Sequence, residues 1–312
     1  MRMKSNYLIA AFAVLAGATL VTGCKPEAQS EEKKPVTTET NLEAQAEVDV
    51  EARVEVKKSY KKVETIEDLG DFFPTALGSV RVSMLGGGTH HDFDRWFNIS
   101  DSVTISYATT EPVNYTTNLT YFLEGIPEHD VLYLCNNSPM TNAEVNKAIF
   151  DFADNGGGFL LIHPALWYNW KNWPEWNRVM VGGGSRKHDK YGPVEVVIEN
   201  RDHPIMYNIP KSFVVEDELY HFEPDPEGSP IEVLASGINP ATGEKQPVVW
   251  ITKHPKARII CTSLGHDGST HENLAFRVML QNCMAWVGKL DKVLADEKAQ
   301  VVKASMEAAK AP

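Results

Sequence analysis

Between about residues 66 and 290, short apolar runs alternate with amphipathic stretches and glycine punctuation. Ser79–Leu85 (SVRVSML), Val103–Ala108, Asp130–Cys135 (DVLYLC) and Gly158–His163 (GFLLIH) are rich in branched and aromatic residues, which predicts strands. Between the last two, Thr141–Asn155 carries Val145, Ala148, Ile149, Phe152 and Ala153 at helical spacing. Thr141 is the expected N-cap, Glu144 completes a capping box, and Gly156 lies just past the helix end. Strand, helix, strand with glycines between them predicts βαβ units and a parallel sheet, an α/β domain. Further strand-like runs follow at Val194–Glu199, Phe213–Glu218, Ile231–Ala235, Pro247–Thr252 and Arg258–Leu264. Those near 194–240 predict an antiparallel addition, and His271–Val287 reads as a closing helix.

The ends are built differently. Arg2 and Lys4 precede a 15-residue apolar stretch, Tyr7 to Val21, too short for a comfortable membrane span. It ends in Val21-Thr22-Gly23-Cys24, which looks like a bacterial lipobox. Residues 1–23 are therefore expected to be a lipoprotein signal peptide, with Cys24 carrying the lipid. Lys25 follows, without the Asp linked to inner-membrane retention, so the expectation is an exported protein anchored to the outer membrane by its lipid alone. Residues 24–65 lack the apolar content to order themselves and read as a tether; 291–312 read as a charged terminal helix or tail.

Composition narrows the classes. The 312 residues are 43 % hydrophobic and 23 % charged, average for a globular chain. Thirty Lys+Arg against 42 Asp+Glu give a formal charge of -12, which argues against nucleic acid as a partner. With Cys24 assigned to lipid, Cys135, Cys261 and Cys283 remain; an odd count makes no disulfide framework, and Cys135 and Cys261 lie in apolar runs as buried thiols.

In open α/β sheets, ligands collect beyond the carboxyl ends of the strands. Gly86-Gly87-Gly88-Thr89-His90-His91-Asp92, His163-Pro164, Glu216-Asp217-Glu218-Leu219-Tyr220-His221 and Leu264-Gly265-His266-Asp267 all fall at such ends. They hold five of the ten histidines, with carboxylates beside them, as a divalent metal or an acid–base site requires. The glycine run lacks a phosphate-loop ending and the dinucleotide spacing, so no nucleotide is expected. The stretch from Trp167 to Trp176 places four of the seven tryptophans at a three-residue step, with Tyr168 beside the first. Flat aromatic faces suit the C–H faces of sugar rings, which predicts a carbohydrate platform. A short helix beginning at Pro174 is expected to lead through Gly182-Gly183-Gly184 into a loop carrying Arg186, Lys187, His188 and Asp189.

The segments GGFLLIHPALWYNW, WPEWNRVMVGGGSRKHD, DHPI, FVVEDELYHF, PVVWITKH and TSLGHD, in this order, resemble the ThuA-like (trehalose-utilisation) family from about Val80 to Trp286. The resemblance implies a flavodoxin-like, class I glutamine amidotransferase-like parallel sheet with helices on both faces. His163 stands where that fold places its nucleophilic cysteine, so amidotransferase chemistry is not expected. The implied substrate is a carbohydrate, in sugar pathways that pass through 3-keto-glycosides. On that basis His91, His163 and His266 are candidates to hold a divalent metal, zinc or similar, or to polarise a carbonyl; His90 is the alternative to His91. Glu216 or Glu218 is the candidate base, Tyr220, His188 and Asp189 are placed at the substrate, and Trp167, Tyr168, Trp170 and Trp173 form the platform. The competing expectation is a non-catalytic lipoprotein that binds glycans on the same aromatic surface.

Overall fold

A computed structural model describes residues 77–296. The segments expected to be a signal peptide, a lipidated Cys24 and a tether, and residues 297–312, lie outside the described residues.

The strands are, in chain order, β1 (Val82–Leu85), β2 (Val113–Thr116), β3 (Val131–Leu134), β4 (Gly158–Ile162), β5 (Gly183–His188), β6 (Gly192–Ile198), β7 (Ser212–Asp217), β8 (Tyr220–Pro224), β9 (Ile231–Ile238), β10 (Lys245–Lys253) and β11 (Arg258–Thr262). The helices are α1 (Ser102–Ser106), α2 (Leu119–Gly125), α3 (Ala143–Asp154), α4 (Gly268–His271) and α5 (Leu274–Val287). π-Helical turns run over Phe93–Asp101, leading into α1, and over Trp176–Val181. Among the described residues no helix is long and apolar enough to cross a membrane.

Nine strands form one sheet in the order β2-β1-β3-β4-β11-β10-β9-β6-β7. The portion β2-β1-β3-β4-β11 is parallel throughout. Counted along the chain that is the flavodoxin-like order 2-1-3-4-5, as expected, with its switch point between β1 and β3. The antiparallel addition, β10, β9, β6 and β7, continues from β11. A separate antiparallel ribbon pairs β5 with β8, so the expected loop at Arg186–His188 is a strand.

Alternating side chains send the sheet into two cores. Val82, Met84, Val131, Tyr133, Leu160 and Ile260 face α5 and the Phe93–Asp101 turns. Leu132, Leu134, Phe159, Leu161 and Ile259 face the other way, onto Phe122 of α2 and Val145 and Ile149 of α3. Helices therefore cover both faces.

Two local expectations are corrected. Val103–Ala108 is not a strand, because Phe93, Phe97, Asp101 and Ile105 recur every four residues and bury one helical face. The cap of α3 is Asn142 rather than Thr141: its Oδ1 accepts from the Glu144 and Val145 amides, a contact worth about 1 kcal/mol. Gly156 follows that helix with φ +84°, the left-handed position that ends it.

Candidate functional site

The parallel register sets the centre. Ile162 pairs with Thr262, so the residues that follow, His163 and Ser263, leave the sheet side by side. His163 turns sharply there with φ +44°, a conformation most side chains avoid, and its ring is fully buried. Its Nδ1 lies 2.5 Å from the Ser263 carbonyl, which can only accept, so Nδ1 carries the proton and Nε2 presents a lone pair. Tyr220 Oη donates to that Nε2 at 3.2 Å. Burial pushes the imidazole down to about 3, so it is neutral.

Two more imidazoles converge on it. The loop after β1 brings His91, with ring centroids 4.9 Å from both His163 and His266. The turn after β11 brings His266, 5.5 Å from His163. One nitrogen of each ring belongs to a set lying mutually within 4.8 Å, a spacing that could hold a metal ion. Burial, then the nearby His163 and His266, push His91 down to about 3. Its Nδ1 and the Nδ1 of His266 are buried without a hydrogen-bond partner. The His91 ring, held neutral with a nitrogen that no hydrogen bond takes, fits a cation. His90, φ +72°, is exposed at the rim, so His91 is the member of the trio. The loop is pinned to the end of β3 by Asn137, which accepts from the Thr89 amide and donates to the Thr89 carbonyl.

Glu218, just past β7, faces three rings. Its Oε2 lies 3.3 Å from His266 Nδ1 and 3.8 Å from His163 Nε2, and Oε1 lies 3.7 Å from His188 Nδ1. The contact with His266 is an ion pair without hydrogen-bond alignment; Glu218 holds His266 above its ordinary value against the effect of burial. Burial works to raise Glu218, but His266, His163 and His188 outweigh it and hold the carboxyl below its usual range. Burial, together with the Glu218 and Asp217 charges, keeps the Tyr220 phenol protonated, well above its ordinary value.

His91, His266, Glu218 and Tyr220 border a cavity of about 660 Å³ at the β1/β3 switch point, also lined by His90, Asn169, Trp167 and His188, while His163 is buried and does not line it. The β5–β8 ribbon supplies its far wall, with His188 opposite Tyr220 in register.

Other expected site residues are elsewhere. Glu216 is exposed because Phe213, Val215 and Asp217 take the buried face of β7, leaving Val214 and Glu216 outside. Asp189 is held by His221 Nε2 at 2.8 Å and Asn239 Nδ2 at 2.7 Å and does not line the cavity. Trp170 and Trp173 are buried in the core with Trp176; the Trp170 indole donates to Ser138 O at 2.7 Å and that of Trp176 to Ala165 O at 2.9 Å. The three-residue step puts them on one inward face, so the expected platform shrinks to Trp167. Tyr168 lies beneath the Arg186 guanidinium, 3.7 Å from ring centroid to Cζ, outside the cavity lining.

Sequence reasoning missed Asp217, fully buried, which accepts from the amides of Glu218 and Gly265 and from Thr270 Oγ1. Strict alternation along β7 was the signal that could have found it.

A model of the family described as ThuA, trehalose utilisation, matches residues 89–287. No curated relative matches the sequence. Among solved structures, a ThuA-like protein of Parabacteroides merdae superposes with TM-score 0.59 at 18 % identity, over 67 % of this chain and 90 % of that one. A ThuA-like protein of Bacteroides uniformis gives TM-score 0.55 at 24 % identity, over 69 % and 92 %. Both likenesses are of fold.

Proposed function

The chain belongs to the ThuA (trehalose utilisation) family, and from that premise we propose that it is a carbohydrate-processing enzyme using metal-assisted acid–base chemistry. The substrate class we propose is a 3-keto-sugar or 3-keto-glycoside. The observation that carries the proposal is the convergence of His91, His163 and His266 on one point beside the Glu218 carboxylate.

His163 Nε2, giving up its hydrogen bond from Tyr220, would with His91 and His266 hold a divalent cation such as zinc. A cation there supplies Lewis-acid polarisation of a substrate carbonyl oxygen. A ketone acidifies the neighbouring C–H, and ionised Glu218 is the group placed to take that proton. Tyr220, which stays protonated, is placed to donate to a substrate oxygen, and His188, across the ribbon from it with Nδ1 on the Asp189 carbonyl, is placed to bind substrate through Nε2. Trp167 offers one aromatic wall to a sugar ring. A proton moved between neighbouring carbons gives isomerisation; loss of an oxygen substituent after the same abstraction gives elimination, with hydration or hydrolysis to follow. A purely glycan-binding role draws less support, because Trp170 and Trp173 are buried.

Turnover of 3-keto-glucosides that is abolished by chelator and restored by metal tests the proposal; bound glycan with neither metal nor turnover would replace it. Export and outer-membrane anchoring through lipid on Cys24 remain part of the proposal, tested by release of a Cys24→Ala variant from membranes.

A further inference from the structure

The turn that carries His266 is gripped from both sides by buried polar groups that do not line the cavity. In the peptide that joins Gly265 to His266, the Gly265 carbonyl accepts from His271 Nε2 at 3.0 Å and the His266 amide donates to Asp217 Oδ2 at 3.4 Å; the Gly265 amide before it donates to the same Asp217 oxygen at 2.8 Å. His271 Nδ1 in turn meets Asp101 Oδ1 at 2.8 Å, and Asp101 Oδ2 accepts from Tyr133 Oη at 2.5 Å. Asp101, Tyr133, Asp217 and His271 are all fully buried. Both ring nitrogens of His271 face oxygens, one of them a carbonyl that only accepts, which is the environment of an imidazolium. Burial opposes that charge, but Asp101 and the Gly265 carbonyl outweigh it. Trp96 lies parallel to the ring at 6.2 Å and Phe97 meets it edge-on at 4.7 Å, so it has little room to turn.

A buried ion pair is a weak source of stability, since an apolar pair of similar volume often does as well. A directional grip is what an apolar pair does not supply. Gly265 sits at φ +125°, and the residue after it is His266. Rotation of this one peptide would swing the imidazole out of the trio.

We propose that Asp101, His271 and Asp217 are positioning residues that clamp the Gly265–His266 peptide and so hold His266 in place for ligation. The metal part of this rests on the function proposed above. Groups behind metal ligands typically set affinity by 10–100-fold, and ligand atoms must be placed within about 0.2 Å.

Two variants act on opposite sides of the peptide. The double variant Asp101→Asn/His271→Phe keeps a ring between Trp96 and Phe97 and leaves no buried carboxylate unpaired, but gives the Gly265 carbonyl no donor. Asp217→Asn confronts the Gly265 and His266 amides with a poorer acceptor. Full-length protein is stripped of metal, its fold is checked by thermal melting, and cobalt(II) is titrated while its visible spectrum is read. Crystal structures of the metal-free forms locate the His266 ring. The expected result is roughly 10–100-fold weaker cobalt binding with an altered spectrum, and a displaced His266 ring, in either folded variant. Wild-type affinity and spectrum in a folded variant would overturn the clamp. If wild-type protein binds no cobalt, the metal reading falls and the crystal structures decide alone: a displaced His266 ring sustains the clamp, an unmoved one overturns it.

Discussion

Glu218 Oε2 stands 3.3 Å from His266 Nδ1, and this contact ties the end of β7 to the turn after β11. It joins the antiparallel addition to the parallel sheet at the point where the imidazoles meet. A carboxylate held ionised beside three rings, in a cavity bordered by a protonated phenol, has the composition of an acid–base site rather than of a structural ion pair.

Glu218→Gln keeps the shape and removes the base. The expected outcome is a fall in kcat of about 10²–10⁴-fold on a 3-keto-glucoside, with the folded state retained. Circular dichroism beside the kinetic assay separates lost chemistry from lost fold.

The tryptophans are expected to divide by role. Trp170→Ala empties a core position and should cost about 3–5 kcal/mol in denaturant unfolding. Trp167→Ala, at the cavity wall, should leave stability nearly unchanged and raise KM. Equal effects of the two on stability would contradict their placement.

Stability of the metal-free protein should peak near pH 6.5. His91 and His163 are held at about 3 in the fold, against 6.5 unfolded, so unfolding takes up protons as the pH drops below 6.5 and stability declines there. Each contributes roughly 1.4 kcal/mol per pH unit over that range. His271 has the opposite sign: its folded value is raised above 6.5, so its contribution is complete below 6.5 and is lost as pH rises through the raised value. Urea unfolding from pH 4.5 to 9 reads both limbs, and His163→Asn, which tolerates the positive φ, should flatten the acid one.

Cys135, Cys261 and Cys283 should resist a thiol reagent until the protein unfolds. All three are buried and free, and burial raises each thiol, Cys261 up to about 12. Counting modified cysteines by mass before and after guanidinium checks this.

Much of the frame was legible from sequence because strands buried on both faces are continuous apolar runs, as in VLYL and GFLLI. The histidines at the strand ends followed from that frame, whereas the flavodoxin-like strand order was implied by the family resemblance. The segment Val103–Ala108 misled, since its branched residues suggest a strand while its burial period belongs to the preceding Phe93–Asp101 turns. The tryptophan run misled in the opposite direction: its step is that of a buried face, and the carbonyls that satisfy the indoles, Ser138 and Ala165, are invisible without the fold. His271 and Asp101, 170 residues apart, meet only through packing of α4 against the Phe93–Asp101 turns.

In the proposed function, His91, His163 and His266 together hold a divalent cation. Metal analysis of protein purified without chelator, for wild type and for His163→Asn, tests it most directly. One equivalent of divalent metal per chain in the wild type, absent in the variant while its fold persists, is the predicted result. Wild-type protein that neither carries nor takes up a divalent metal, or a folded His163→Asn variant that keeps the full equivalent, would contradict it.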